Sequence, residues 1–207
     1  MDGRTRMGLE LFRAGAIKFG AFRLKLHDVM PDAPLSPIYI DLRLIRSYPE
    51  IMDLAIDAYI DIARGLVFDV VADVPTASTP LVAVMANRLR VPMVSPRLDQ
   101  KTHGLSKRID GAWRDKQIAL VVDDLVTLAD SKLDAIQVMQ SAGLVVHDVL
   151  VLIDRGQGGS EALKQRGINL HSVYRLNELL NLYLHEGLVD QPTFEKTMDY
   201  LEAGNDG

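Results

Sequence analysis

The 207-residue chain contains no cysteine, which excludes disulfides, thiolate metal sites and a cysteine nucleophile, and fits a reducing compartment. It also lacks any apolar run near the roughly 18 residues that a membrane span needs. The opening segment MDGRTRMGLE has no apolar stretch of the secretory kind. The expectation is a cytoplasmic protein without membrane contact. No block of Lys and Arg is present, and the net charge is mildly negative at -5; both argue against nucleic acid as a partner, because phosphate-backbone binding needs a basic face. Internal repeats and low-complexity segments are absent. His27, His147, His171 and His185 show no metal-ligand spacing and read as surface or packing residues. What the chain does have is hydrophobic content of 48%, enough at this length for one substantial core.

From Phe68 onward short β-branched runs alternate with segments of helical period, the pattern of βαβ units and a parallel sheet. Strands are expected at 68–74, 91–94, 117–122, 149–153 and 170–174. Helices are expected at 79–89, 131–141 and 160–165, with Gly143 ending the second of these. Residues 98–114 carry little apolar period and read as a long, mobile loop of the kind that is functional or disordered. Helical period continues over 176–201 with breaks at Gly187 and Pro192. Before Phe68, helices are expected at 9–14 and 50–64, around a β-like stretch at 21–42 that a Pro-rich turn interrupts at 30–37. The fold class is α/β, a mostly parallel central sheet flanked by helices.

The most informative local feature is Asp123 and Asp124, two carboxylates directly after a buried strand. Such a pair is costly unless solvated or paired. In a parallel α/β sheet ligands bind beyond the carboxyl ends of the strands, where this pair would sit. The following segment LVTLADSK runs into a helix N-terminus, whose free N–H groups favour an anion. Carboxylates beside an anion nest suit a sugar phosphate. The plainer alternative is that the two acids are exposed turn residues and Ser131 a helix cap.

LVVDDLVTLADS resembles the phosphoribosyl diphosphate (PRPP) motif of type I phosphoribosyltransferases, and further segments narrow the resemblance to the orotate phosphoribosyltransferase family. AIKFGAFRLK and SPIYIDLRLIRSYPE resemble that family's N-terminal hood, VPTASTPLVAVMANRLRVPM its pyrophosphate-loop strand and helix, RLDQKTHG its catalytic loop, and SAGLVVHDVLVLIDRGQGG the segment after the PRPP motif. The resemblance implies one domain over 1–207, with a hood region at 1–66, a core sheet at 67–175 and a helical tail at 176–207. It implies transfer of ribose 5-phosphate from PRPP to orotate, with Mg²⁺ carried by PRPP near Asp123 and Asp124 rather than bound directly by the protein, in a homodimer whose catalytic loop closes over the neighbouring site. By motif position Asp123 and Asp124 would bind the ribose hydroxyls, and Thr127 with Ser131 the 5-phosphate. Arg97, Lys101 and His103 would reach the pyrophosphate, and Lys25, Tyr39 and Arg155 the pyrimidine. Arg155 is the specificity residue, because its planar fork suits a carboxylate. Its structural alternative is a partner for Asp154 or Asp148.

The sequence departs from the family pattern at the site. The phosphate loop reads Thr127, Leu128, Ala129, Asp130, Ser131 where the family has glycines, Asp73 stands for a glycine, Leu98 for a lysine and Asp99 for a glutamate, and the segment between Lys25 and Ser36 is longer and richer in proline. A carboxylate about 4 Å from a phosphate charge costs on the order of 4 kcal/mol at an effective dielectric near 20. Asp130 is also placed to cap the following helix and take the N–H groups that would hold phosphate. The expectation is a partly self-quenched phosphate site. Two other functions therefore stay open: a regulatory paralogue that binds a nucleotide or PRPP without turnover, and a phosphoribosyltransferase for another base.

Overall fold

The computed structural model of the protein describes residues 1–28, 30–98 and 108–203. Its centre is a six-stranded sheet in the order β5-β4-β3-β6-β7-β8, formed by β3 (Val70–Asp73), β4 (Met93–Pro96), β5 (Ile109–Asp110), β6 (Ala119–Val126), β7 (Asp148–Asp154) and β8 (Asn169–Arg175). All neighbours are parallel except β4 and β5. The runs ALVV and VLVLI are buried throughout because helices cover both faces, as parallel strands require.

One face packs against α1 (Gly3–Arg13), α2 (Pro49–Ala63), α3 (Thr79–Leu89), α6 (Leu176–His185) and α7 (Gln191–Ala203); the other packs against α4 (Asp130–Ser141) and α5 (Gly159–Lys164). Helix α2 shows why: Ile51, Ala55, Ile56, Tyr59 and Ala63 fall on one stripe at helical spacing and are all buried. Proline at its first position costs no hydrogen bond. A separate antiparallel ribbon, β1 (Ile17–Phe22) and β2 (Ser36–Ile40), stands before the sheet, and α7 packs against β2.

The chain winds from β3 to β4 in one direction and from β6 through β7 to β8 in the other. The reversal leaves a crevice beyond the carboxyl ends of β3 and β6, the topological switch point at which open α/β sheets bind ligands.

Most expected elements are present, and the differences have local causes. The strand expected to end before the acidic pair continues to Val126, because Asp123, Leu125 and Val126 remain paired to β7. The long loop contains β5, whose two residues pair with Ser95 and Pro96. The first helix begins at Gly3, where Asp2 accepts the Thr5 N–H at 2.7 Å as an N-cap. Pro192 is no break: it lies in the first turn of α7, and the break before it falls at Gly187 with φ +67°. The Pro-rich turn is closed by His27, which is buried, accepts the Leu24 N–H at 2.9 Å and lies 3.2 Å from the Ala33 carbonyl. It is a packing residue, as expected, and also a hydrogen-bonded strut.

Candidate active site

A cavity of about 300 Å³ occupies the switch point, lined by Asp41, Arg43, Pro75, Asp123, Asp124, Ser131 and Lys132 among others. Asp123 and Asp124 point to opposite sides of β6. Asp123 is 4% exposed; its Oδ1 accepts the Asp124 N–H at 2.8 Å and its Oδ2 accepts from Lys132 Nζ at 2.6 Å. Asp124 is half-buried. Burial, reinforced by the Asp123 charge, pushes its carboxyl up to about 7, with Lys132 acting in the opposite sense. The backbone of the pair is fixed from α2, where the buried Tyr59 hydroxyl donates to the Asp123 carbonyl at 2.8 Å. Burial and the two nearby acids raise the Tyr59 phenol well above its ordinary range, so it stays a donor.

The segment 127–131 makes a left-handed turn without glycine. Ala129 takes the left-handed conformation, φ 72° and ψ 4°, as the residue before α4. Asp130 begins α4, its side chain is exposed, and the helix has no side-chain cap. The expected capping by Asp130 is therefore corrected: the positive φ at Ala129 starts the helix one residue early and turns the Asp130 carboxylate outward, leaving the first N–H groups of α4 uncapped. Ser131 is exposed inside the helix rather than its cap. Thr127 is half-buried, and its carbonyl is backed by Gly159, where a Cβ would come within 2.7 Å. The other acidic departure is buried: Asp73 accepts from the Thr79 hydroxyl through one oxygen and has no partner on the other.

Arg155 lines a separate cavity of about 370 Å³, with Asp154, Glu161, Arg175 and Asn177, beyond the ends of β7 and β8. Its N–H donates to the Val126 carbonyl at 3.1 Å, so it adjoins Thr127 through the backbone. Arg155 is 8% exposed, and its buried Nε and Nη2 have no partner among the described residues. Burial lowers its pKa from the usual arginine value, with Tyr200 nearby acting in the opposite sense. The ion-pair alternative does not hold among the described residues: Asp154 accepts the Gly156 N–H at 2.8 Å, and Asp148 is bonded to His171 and Asn169. A desolvated guanidinium with free donors suits a planar carboxylate.

The remaining expected residues lie apart. Tyr39 is half-buried on β2, stacked on Phe22 with ring centroids 5.5 Å apart. Arg97 is exposed and forked onto Asp110, with Nε 2.9 Å and 3.0 Å from the two carboxylate oxygens; this pair ties together the strands flanking the catalytic loop. Leu98 is exposed. Lys101, His103 and Asp99 lie outside the described residues, as does the side chain of Lys25.

Sequence reasoning missed Lys132. A signal was present: Lys132, Ala135, Ile136 and Met139 recur at i, i+3, i+4 and i+7, which puts a lysine on the buried face of α4. A cation in a first helical turn also opposes the helix dipole and needs a counter-charge.

No family model matches the chain. The orotate phosphoribosyltransferase of Pyrobaculum aerophilum is 38% identical over 189 residues, covering 90% of this chain and 93% of that protein. The bifunctional enzyme PyrF/PyrE of Nostoc sp. is 34% identical over 135 residues, and the match spans 27% of it. Among solved structures, the UMP synthase of Leishmania donovani superposes with a TM-score of 0.86 at 30% identity, covering 98% of this chain and 43% of that one. The orotate phosphoribosyltransferase of Aeropyrum pernix superposes with a TM-score of 0.71 at 29% identity, covering 84% and 97%. With the acidic pair at the switch point, the phosphate loop ahead of α4 and a relative matched over nearly its full length, the chain belongs to the orotate phosphoribosyltransferase family.

Proposed function

We propose that the protein transfers ribose 5-phosphate from PRPP to N1 of orotate, releasing pyrophosphate. The observation that carries this reading is the switch-point cavity, which the paired carboxylates line together with the first turn of a twelve-residue helix that has no side-chain cap. Asp124, with Asp123 behind it, takes the ribose hydroxyls. Thr127, Ser131 and the first N–H groups of α4 take the 5-phosphate. Arg155 takes the orotate carboxylate, and Lys25 and Tyr39 serve the pyrimidine.

No nucleophilic side chain is needed. The bond from C1 to the pyrophosphate oxygen breaks with its electron pair leaving on pyrophosphate, and orotate N1, giving up its proton to solvent, supplies the pair for the new bond. The protein holds the two reactants in line and meets the departing charge. Arg97, Lys101 and His103 serve the pyrophosphate, with Arg97 exchanging Asp110 for phosphate oxygens. Each loop acts on the neighbouring subunit's site in a homodimer.

Among the described residues no group of three or more His, Asp or Glu is placed to hold a metal unaided. One half-buried carboxylate at Asp124 fits Mg²⁺ brought in on the diphosphate, since that ion keeps waters and phosphate oxygens as its other ligands. When bound it supplies charge neutralisation for the diphosphate. The base assignment is tested with Arg155→Lys, which keeps the charge and loses the fork: the KM for orotate rises on the order of 100-fold, with a smaller change in the KM for PRPP. An unchanged KM for orotate would remove Arg155 from the base site.

A further inference from the structure

Lys132 is the strongest unassigned feature of the site. The Lys132 and Asp123 side chains are 5% and 6% exposed, and the ammonium meets the carboxylate at 2.6 Å. Lys132 also follows Ser131, the last residue of the phosphate loop, and both line the switch-point cavity. The ion pair therefore ties the first turn of α4, which would carry the phosphate, to the strand that would carry the ribose. It is the one buried ion pair among the described residues, the others all having at least one well-exposed partner or a half-exposed histidine.

A structural role alone does not account for its position. A lysine in the first turn of α4 opposes the helix dipole, and a hydrophobic residue there would complete the buried face made by Ala135, Ile136 and Met139. Replacing a buried ion pair by apolar residues is often neutral or stabilising, so stability alone gives no reason to keep it. Within the cavity the pair does two things. It occupies Asp123 on both oxygens, Oδ1 by the Asp124 N–H and Oδ2 by Lys132, which leaves Asp124 as the carboxylate presented to a ligand. It also places a fixed positive charge among the acids that line the cavity, Asp41, Asp123 and Asp124.

We infer that Lys132 is a positioning residue for PRPP: through Asp123 it fixes the distance between the ribose-binding strand and the phosphate loop, and it supplies the internal counter-charge that lets this acid-rich site accept a polyanion. The inference rests on the PRPP-site reading above. It assigns Asp123 a holding role and Asp124 the direct contact with the ribose.

The test compares the full-length parent with Lys132→Met, Lys132→Arg and the double variant Lys132→Met with Asp123→Asn. PRPP affinity is read by calorimetry with PRPP and magnesium, and KM and kcat by loss of orotate absorbance. Lys132→Met raises the KM for PRPP at least tenfold while the KM for orotate changes less than threefold, and Lys132→Arg recovers part of the loss. The double variant leaves no unpaired buried charge and so remains folded; it retains the tenfold loss for PRPP, which a purely structural pair would not produce. A double variant with the parent's KM for PRPP overturns the inference, as does Lys132→Met that melts earlier but binds PRPP like the parent. A parent that neither turns over nor binds PRPP would refute the site reading itself, a result distinct from both.

Discussion

Asp124 is the residue on which pH acts most directly. Its folded pKa of about 7 lies above the unfolded carboxylate value of 3.8, so the folded state keeps a proton that the unfolded state has already lost. Its contribution to stability is therefore whole below about pH 4 and is lost as the pH rises through 7. Asp124→Asn removes that loss: the variant gains on the parent between pH 5 and 8 by about 2 kcal/mol, read from melting curves at the two pH values. Parallel curves would show that Asp124 is not held in a desolvated place. The same variant loses PRPP turnover, since an amide cannot replace the carboxylate toward ribose hydroxyls and magnesium. The acidic pair was legible in the sequence because two adjacent carboxylates after a run of valines need a reason. Their division of roles was not, because it depends on which one meets Lys132, a partner nine residues away on another element.

At the scale of elements, the segment before α4 adopts a left-handed turn at a residue other than glycine. Glycine takes the left-handed conformation freely; Ala129 takes it at a cost of about 1–2 kcal/mol. Ala129→Gly therefore stabilises the protein by about 1 kcal/mol after the greater chain entropy of glycine is counted, a rise of about 2–4 °C in Tm for a chain of this size. A fall in Tm would mean the loop does not need that conformation. The helices at 79–89 and 131–141 and the valine-rich strands were readable because their periods and stop signals agree. What the pattern could not give was set by contacts distant in sequence: β5 exists only through its pairing with β4, and β6 extends past the acids because β7 lies beside it. The Asp130 cap failed for a similar reason, since the backbone angle at Ala129 and not the identity of residue 130 decides where α4 begins.

For the whole molecule, the order β5-β4-β3-β6-β7-β8 puts the ends of β3 and β6 at one crevice and the end of β7 one strand further, so the two cavities proposed for the ribose phosphate and the base open from adjacent strands. If the catalytic loop serves the neighbouring subunit, a Lys101→Ala subunit and an Asp124→Asn subunit are each inactive alone. Mixed after dissociation and reassociation, they recover about a quarter of parental activity, the share expected for one intact site in half of the dimers. No recovery would place loop and site in the same subunit. We propose that the chain keeps the family's activity and tolerates Asp73, Leu98, Ala129 and Asp130. The measurement that tests it most directly is loss of orotate absorbance on addition of PRPP and magnesium, with Lys101→Ala as the control. Turnover by the parent, reduced at least 100-fold by Lys101→Ala, is the predicted result; a parent that binds PRPP yet consumes no orotate would contradict it and identify a nucleotide-binding paralogue.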